Sequence, residues 1–156
     1  MSSTSRLPPI PVHKSSGATR WRFDSRDRRG GGNDMERTPL RNSSLGRFGE
    51  EQAAEWLERH GFRVVERNWR CARGEIDIVA WQSCTLCFIE VKTRSGNATG
   101  HPFEAITASK VTRLRRLVPA WFADHPEVSA RMIRIDAVAV HVHGDRVGVE
   151  HVAGLL

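Results

Sequence analysis

Two short stretches of the chain carry charge where buried β-strand should be apolar. In Gly74-Glu-Ile-Asp-Ile-Val-Ala80 the interruptions are Glu75 and Asp77; in Leu86-Cys-Phe-Ile-Glu-Val-Lys92 they are Glu90 and Lys92. The positions around them, Ile76, Ile78, Val79, Leu86, Phe88, Ile89 and Val91, are the branched and aromatic residues of strand interiors. Removing a carboxylate from water is costly unless a cation or hydrogen bonds compensate it. Three carboxylates and a lysine on neighbouring strands therefore point to shared chemistry.

Strand alternation predicts Glu75 and Asp77 on one face, with Ile76 and Ile78 on the other, and puts Glu90 beside Lys92. A tight connection at Gln82-Ser83 would fold the two strands into a hairpin, so all four groups are expected to converge. Clustered carboxylates repel one another unless a cation lies between them, and oxygen ligands favour Mg²⁺ or Mn²⁺. Lysine is a poor metal ligand but suits positioning or deprotonating a water and neutralising charge at a phosphate. The chemistry implied is phosphodiester hydrolysis, with Asp77 and Glu90 as metal ligands and Lys92 activating water. Glu-x-Lys alone is common; the specific signal is Asp followed by Glu-x-Lys across a hairpin. The competing reading is an ion-paired structural sheet, which leaves three carboxylates facing one lysine.

Two helices carry further misplaced charges. In the first, Glu51, Glu55 and Glu58 recur as a solvated stripe, whereas Glu50 falls among Gly46, Ala53, Ala54 and Leu57 on the face that should pack on the sheet. Glu50 either escapes to the edge of that face or joins the site, and Gly46 and Gly49 would let backbone approach the sheet closely. In the second helix Lys110 lines up with Phe103, Ile106, Leu114, Leu117 and Trp121. Its stem either packs while the ammonium reaches water, or the ammonium reaches the carboxylates or a DNA phosphate. Arg94, Arg113, Arg115 and Arg116 are the remaining candidates for holding a phosphate backbone.

The elements that must position these groups follow from periodicity. Residues 46–60 read as a helix stopped by Gly61. Strands are expected at 62–67, 75–81 and 85–93, with a turn at Trp69–Arg73 and a loop from Arg94 to Gly100. A second helix is expected over 103–122, bent near its end by Pro119, then a hairpin of 133–141 and 146–152 around Gly144-Asp145. The order αβββαββ predicts an α/β fold with a mixed sheet flanked by helices.

Residues 1–44 lack apolar period and are rich in Ser, Arg, Gly and Pro, so they are expected to be a disordered basic tail before a domain at 45–156. Trp21 and Phe23 are its only aromatics, and Met35 offers an alternative start. The tail holds nine Lys/Arg against four Asp/Glu, whereas the rest holds fifteen against fourteen. The net charge of +6 is therefore mostly the tail's, and a nucleic-acid argument for the domain must rest on where charges sit. No apolar run is long enough to cross a membrane, and no secretory signal is seen. Three cysteines, Cys71, Cys84 and Cys87, suit a reducing cytoplasm. Cys84-x-x-Cys87 with Cys71, His141, His143 or His151 could suggest zinc, but no second cysteine pair closes a site; the histidines are expected to face solvent. Asp136 is expected to pair with Arg134.

With these residues in view, the stretches Gly46-Arg-Phe-Gly-Glu50 with Ala53-Ala54, Arg67-Asn68, Gly74-Glu-Ile-Asp77, Phe88-Ile-Glu-Val-Lys-Thr-Arg94, Lys110 and Arg134-Ile-Asp136 make residues 45–156 resemble the uncharacterised bacterial YraN-type proteins. These are a predicted branch of the PD-(D/E)XK nuclease superfamily, similar in layout to archaeal Holliday-junction resolvases. The resemblance implies a restriction endonuclease-like fold, places the nuclease pattern on Asp77, Glu90 and Lys92, and places the helix acid on Glu50. Ile76 stands where that pattern usually has proline, and Asp136 is kept as a minor site candidate. The expectation is a cytoplasmic, Mg²⁺- or Mn²⁺-dependent DNA endonuclease, acting on branched or damaged DNA, with Glu75 or Glu50 completing the metal's surroundings. Branched-DNA enzymes of this fold are commonly dimers, so the resemblance allows a homodimer, though no strong interface signal is legible. The alternatives are a non-catalytic nucleic-acid-binding or adaptor domain that keeps the fold, and a purely structural partner protein.

Overall fold

Residues 42–96 and 106–155 are described by the computed structural model. The basic tail up to Arg41, the stretch from Asn97 to Ala105 and the expected start of the second helix lie outside them. Helix α1 (Asn42–Arg59) begins a little before the expected boundary, and Gly61 after it takes φ 83°, which only glycine adopts without cost. Ala53, Ala54, Trp56 and Leu57 are buried, and Glu51, Glu55 and Glu58 face out.

Strands β1 (Phe62–Cys71), β2 (Gly74–Gln82) and β3 (Thr85–Ser95) follow, then helix α2 (Ala108–Asp124), β4 (Met132–His143) and β5 (Arg146–Val152). They form one sheet in the order β1-β2-β3-β4-β5. β3 and β4 are parallel and every other pair is antiparallel; the parallel pair is the one joined by the crossover through α2, as parallel strands require. A five-stranded mixed sheet flanked by two helices is the arrangement expected of a restriction endonuclease-like core.

Each face of the sheet has its own apolar layer. α1 covers Ile78, Ala80, Cys87, Ile89, Val138 and Val140. On the other face Val111, Leu114, Leu117 and Trp121 of α2 cover Trp69, Ile76, Val79, Leu86, Phe88 and Ile135. Two indole N–H groups tie the end of α2 to the edge strand: Trp121 Nε1 donates to Glu66 Oε2 at 2.7 Å, and Trp69 Nε1 donates to Asp124 Oδ2 at 3.1 Å. Both bonds satisfy polar atoms that burial would otherwise strand.

Three expectations are corrected. The segment Trp69–Arg73 is not a turn, because β1 runs to Cys71 and only Ala72-Arg73 reverse the chain. The β2–β3 connection is Ser83-Cys84, with Gln82 paired to Thr85 and Ser83 at φ 53°. Helix α2, with Pro119 inside it as expected, ends at Asp124 rather than at Phe122.

Candidate active site

The site begins where the sheet loses its regularity. Arg67 pairs with Ile78, and Trp69 pairs with Ile76. Ile78 packs under α1, yet Ile76 and Trp69 pack under α2. Residues two apart on a regular strand share a face, so the alternation breaks at the intervening positions, Asn68 and Asp77. Asn68 has φ 56°, a left-handed conformation that asparagine tolerates better than other non-glycine residues. This corrects the expectation that Ile76 and Ile78 share one face and that Glu75 and Asp77 share the other.

The break frees Asp77 from either face. β2 and β3 pair only from Gln82↔Thr85 to Ile78↔Ile89, and beyond that point the strands fork. Val91 N–H, which has no β2 carbonyl opposite it in this ladder, donates instead to Asp77 Oδ2 at 2.7 Å. The carboxylate thus replaces a missing ladder bond and is held in the mouth of the fork.

Cys87, Ile89 and Val91 of β3 belong to the α1 layer, so alternation puts Glu90, Lys92 and Arg94 on the α2 face. All three are half-buried. Lys110, in the first turn of α2, brings Nζ to 3.8 Å from Glu90 Oε1, with side-chain exposures of 32% and 13%. Lys110 therefore reaches the carboxylates, the second of the two readings its position allowed.

Burial pushes the Asp77 carboxyl up from its ordinary 3.8 to about 7; Val91 N–H opposes the shift, and the charges of Glu90, Glu50 and Glu75 add to it. Glu50 comes from α1, on the opposite side of the sheet from Glu90, so Asp77 feels negative charge from both layers. A carboxyl balanced near neutrality between other acids holds either a proton or a cation.

The other candidates are distributed less evenly. Glu75 is exposed and ion-paired with Arg70 at 3.2 Å; it lies at the rim and acts on Asp77 only through its charge. Arg113 lies close to Gly74 at the start of β2. Arg115 donates to the Leu155 carbonyl at 3.5 Å, beside a cavity of about 370 Å³ lined by Val118, Ile133 and Leu155, so it is not brought to the carboxylates. Arg116 is exposed on α2. A Cβ at Gly49 would overlap Thr93 Oγ1, so this glycine does permit the expected close approach of α1 to β3; Gly46 has nothing within 4 Å and does not.

Cys84 is exposed on the hairpin turn while Cys87 is buried, and burial pushes the Cys87 thiol up to about 12, far from a thiolate ligand. Among the described residues no three His, Cys, Asp or Glu side chains are grouped so as to hold a metal by themselves. The histidines are not all solvent-facing: His151 is buried and its Nε2 donates to Asp136 Oδ2 at 3.0 Å, and His141 lies 3.6 Å from Glu150. Arg134 forks onto both oxygens of Asp136 at 2.7 and 2.8 Å, and Gly154 N–H donates to it at 2.9 Å. Burial alone would raise the Asp136 carboxyl, but His151, Arg134 and Gly154 together hold it below the usual carboxylate range. By alternation from Val138, Asp136 faces the α1 layer, away from Glu90 and Lys92. It is a structural anchor for the segment after β5, a role its pairing with Arg134 foreshadowed and its distant partners did not.

A protein-family model described as Uncharacterised protein family UPF0102 matches residues 49–140. The chain belongs to the UPF0102 family. The matched span contains every group gathered at the fork, from Glu50 to Lys110. A UPF0102 protein of Beutenbergia cavernae is 51% identical over 113 residues, covering 72% of this chain and 95% of the relative. One from an Arthrobacter species is 52% identical over 112 residues, covering 71% and 94%. A UPF0102 protein of Acidothermus cellulolyticus is 41% identical over 130 residues, covering 77% and 98%. The relatives therefore share nearly their whole length with this chain.

Proposed function

We propose that this protein is a Mg²⁺- or Mn²⁺-dependent DNA endonuclease. The observation that carries the reading is Asp77, held in the fork with its carboxyl raised to about 7 by burial and neighbouring acids, with Glu90 and Lys92 on the adjacent strand. The donor set suits a hard cation, since it is all oxygen and carries surplus negative charge. Asp77 and Glu90 would hold the ion, leaving other positions to water and substrate phosphate, which is how Mg²⁺ is usually bound. Bound there, it would supply charge stabilisation at the phosphate. Glu50 raises the field at Asp77 from the α1 side. Lys92 orients and deprotonates the attacking water, and Lys110 and Arg94 hold the DNA backbone beside it. Arg113 and Arg116 extend that positive surface along α2. DNA of branched or damaged form is the substrate class we favour, and a homodimer would fit a branched substrate.

One observation favours a second reading, a nucleic-acid-binding domain without catalysis: Lys110 already supplies Glu90 with a cation at 3.8 Å. Thermal melting with Mn²⁺ separates the two. The nuclease reading expects a Mn²⁺-dependent rise in melting temperature that Asp77→Ala abolishes; a binding domain with a dead site gives no such rise.

A further inference from the structure

Lys110 stands where a helix least favours a cation. It is in the first turn of α2, which carries no acidic side chain, and Thr107 at the N-cap makes no side-chain cap bond. The Lys110 and Val111 N–H groups both donate to the Thr107 carbonyl, at 3.0 and 3.1 Å. The lysine therefore starts from the positive end of the helix dipole. What compensates it is Glu90, whose Oε1 lies 3.8 Å from Nζ. That separation is about 1 Å longer than a charge-assisted hydrogen bond, so charge attraction holds the pair and no directed bond does.

The two partners differ in freedom. The Glu90 side chain is 13% exposed and that of Lys110 is 32% exposed, so the carboxylate is largely enclosed while the lysine opens to solvent. Val111 and Leu114 are buried and pin the helix, so any movement of the ammonium falls to the lysine's own rotatable stem. A divalent cation between Asp77 and Glu90 would place two positive charges where Lys110 now supplies one. Like charges in a half-buried site repel strongly, and the loosely held ammonium is the one free to leave.

We propose that Lys110 is an exchangeable counter-ion: it neutralises Glu90 in the metal-free protein, gives up that carboxylate when a divalent cation enters, and carries its ammonium to a DNA phosphate. Metal and DNA binding are thereby linked through one side chain, each favouring the other. This rests on the nuclease reading, whose site it regulates. The first half is tested by titrating full-length protein with Mn²⁺ and following the paramagnetic resonance of the free ion. Lys110→Met keeps the stem without the charge and should tighten the Mn²⁺ Kd about tenfold; Lys110→Gln should do the same, and Lys110→Arg, still able to pair with Glu90, should stay near wild type. The second half is tested by fluorescence anisotropy of a labelled four-way DNA junction, in a Lys92→Ala background that slows cleavage. Without metal Lys110→Met should change DNA affinity less than about twofold, and with Mn²⁺ it should forfeit most of the gain that the metal gives wild-type Lys110. An unchanged Mn²⁺ Kd in Lys110→Met and Lys110→Gln, or an equal loss of DNA affinity with and without metal, overturns the proposal alone. Mn²⁺ binding that survives Asp77→Ala, or no Mn²⁺ binding by wild type and variants alike, removes the nuclease reading and the proposal with it.

Discussion

Asp77 is a residue whose folded-state carboxyl sits near 7 against an ordinary 3.8, and that has a thermodynamic sign. The folded protein binds a proton there that the unfolded chain has released. Its contribution is fully present below about pH 4 and is lost as pH rises through 7. In chelator, Asp77→Asn should therefore be more stable than wild type at pH 8, by roughly 2–4 kcal/mol, and equal to it near pH 4. Urea midpoints at the two pH values check this, and parallel curves at both would contradict it. Much at this scale was legible beforehand, because Asp77, Glu90, Lys92, Glu50 and Lys110 each break an apolar pattern that a single sequence displays. Glu75 breaks the same pattern yet lies at the rim with Arg70, since pattern alone does not reveal a change of face.

That change of face belongs to the elements. Asn68 and Asp77 break alternation together because β1 and β2 are in register, and register is a long-range property that periodicity does not carry. β1 is an edge strand with alternate positions exposed, so its charged second half imitates a turn. Asn68→Gly should be nearly neutral, whereas Asn68→Val should cost about 1–2 kcal/mol, because a β-branched residue resists φ 56°. Helix α1 offers a second test. Gly49→Ala places a methyl against Thr93 and should cost about 1–3 kcal/mol by prising the helix from β3. Pairing it with Thr93→Ala should return part of that loss, and strictly additive effects would contradict direct contact.

Across the whole molecule, two buried carboxyls oppose each other. Asp136 is held below the usual range by His151, Arg134 and Gly154 despite its burial, so its contribution is present above about pH 4 and is lost as pH falls. Asp77 acts in the opposite sense, losing its contribution as pH rises from about 4 through 7, so these two groups together should make the metal-free protein most stable near pH 4. Asp136→Ala should cost about 3–5 kcal/mol by leaving Arg134 half-buried without its partner, as guanidinium-chloride melts will show. Sequence foretold the Arg134–Asp136 pair but not His151 or Gly154, which tie β4 to β5 and to the chain just after it from 15 and 18 positions away. The order of elements, the mixed sheet and the two covering helices were all legible, since each rests on local period. The most direct test of the account is cleavage of a four-way DNA junction with Mn²⁺, with and without chelator, by wild type beside Lys92→Ala. We expect wild-type cleavage that chelator abolishes and that Lys92→Ala slows by about 10²-fold or more; equal cleavage by Lys92→Ala, or none by wild type on junction, duplex or single-stranded DNA, would contradict it.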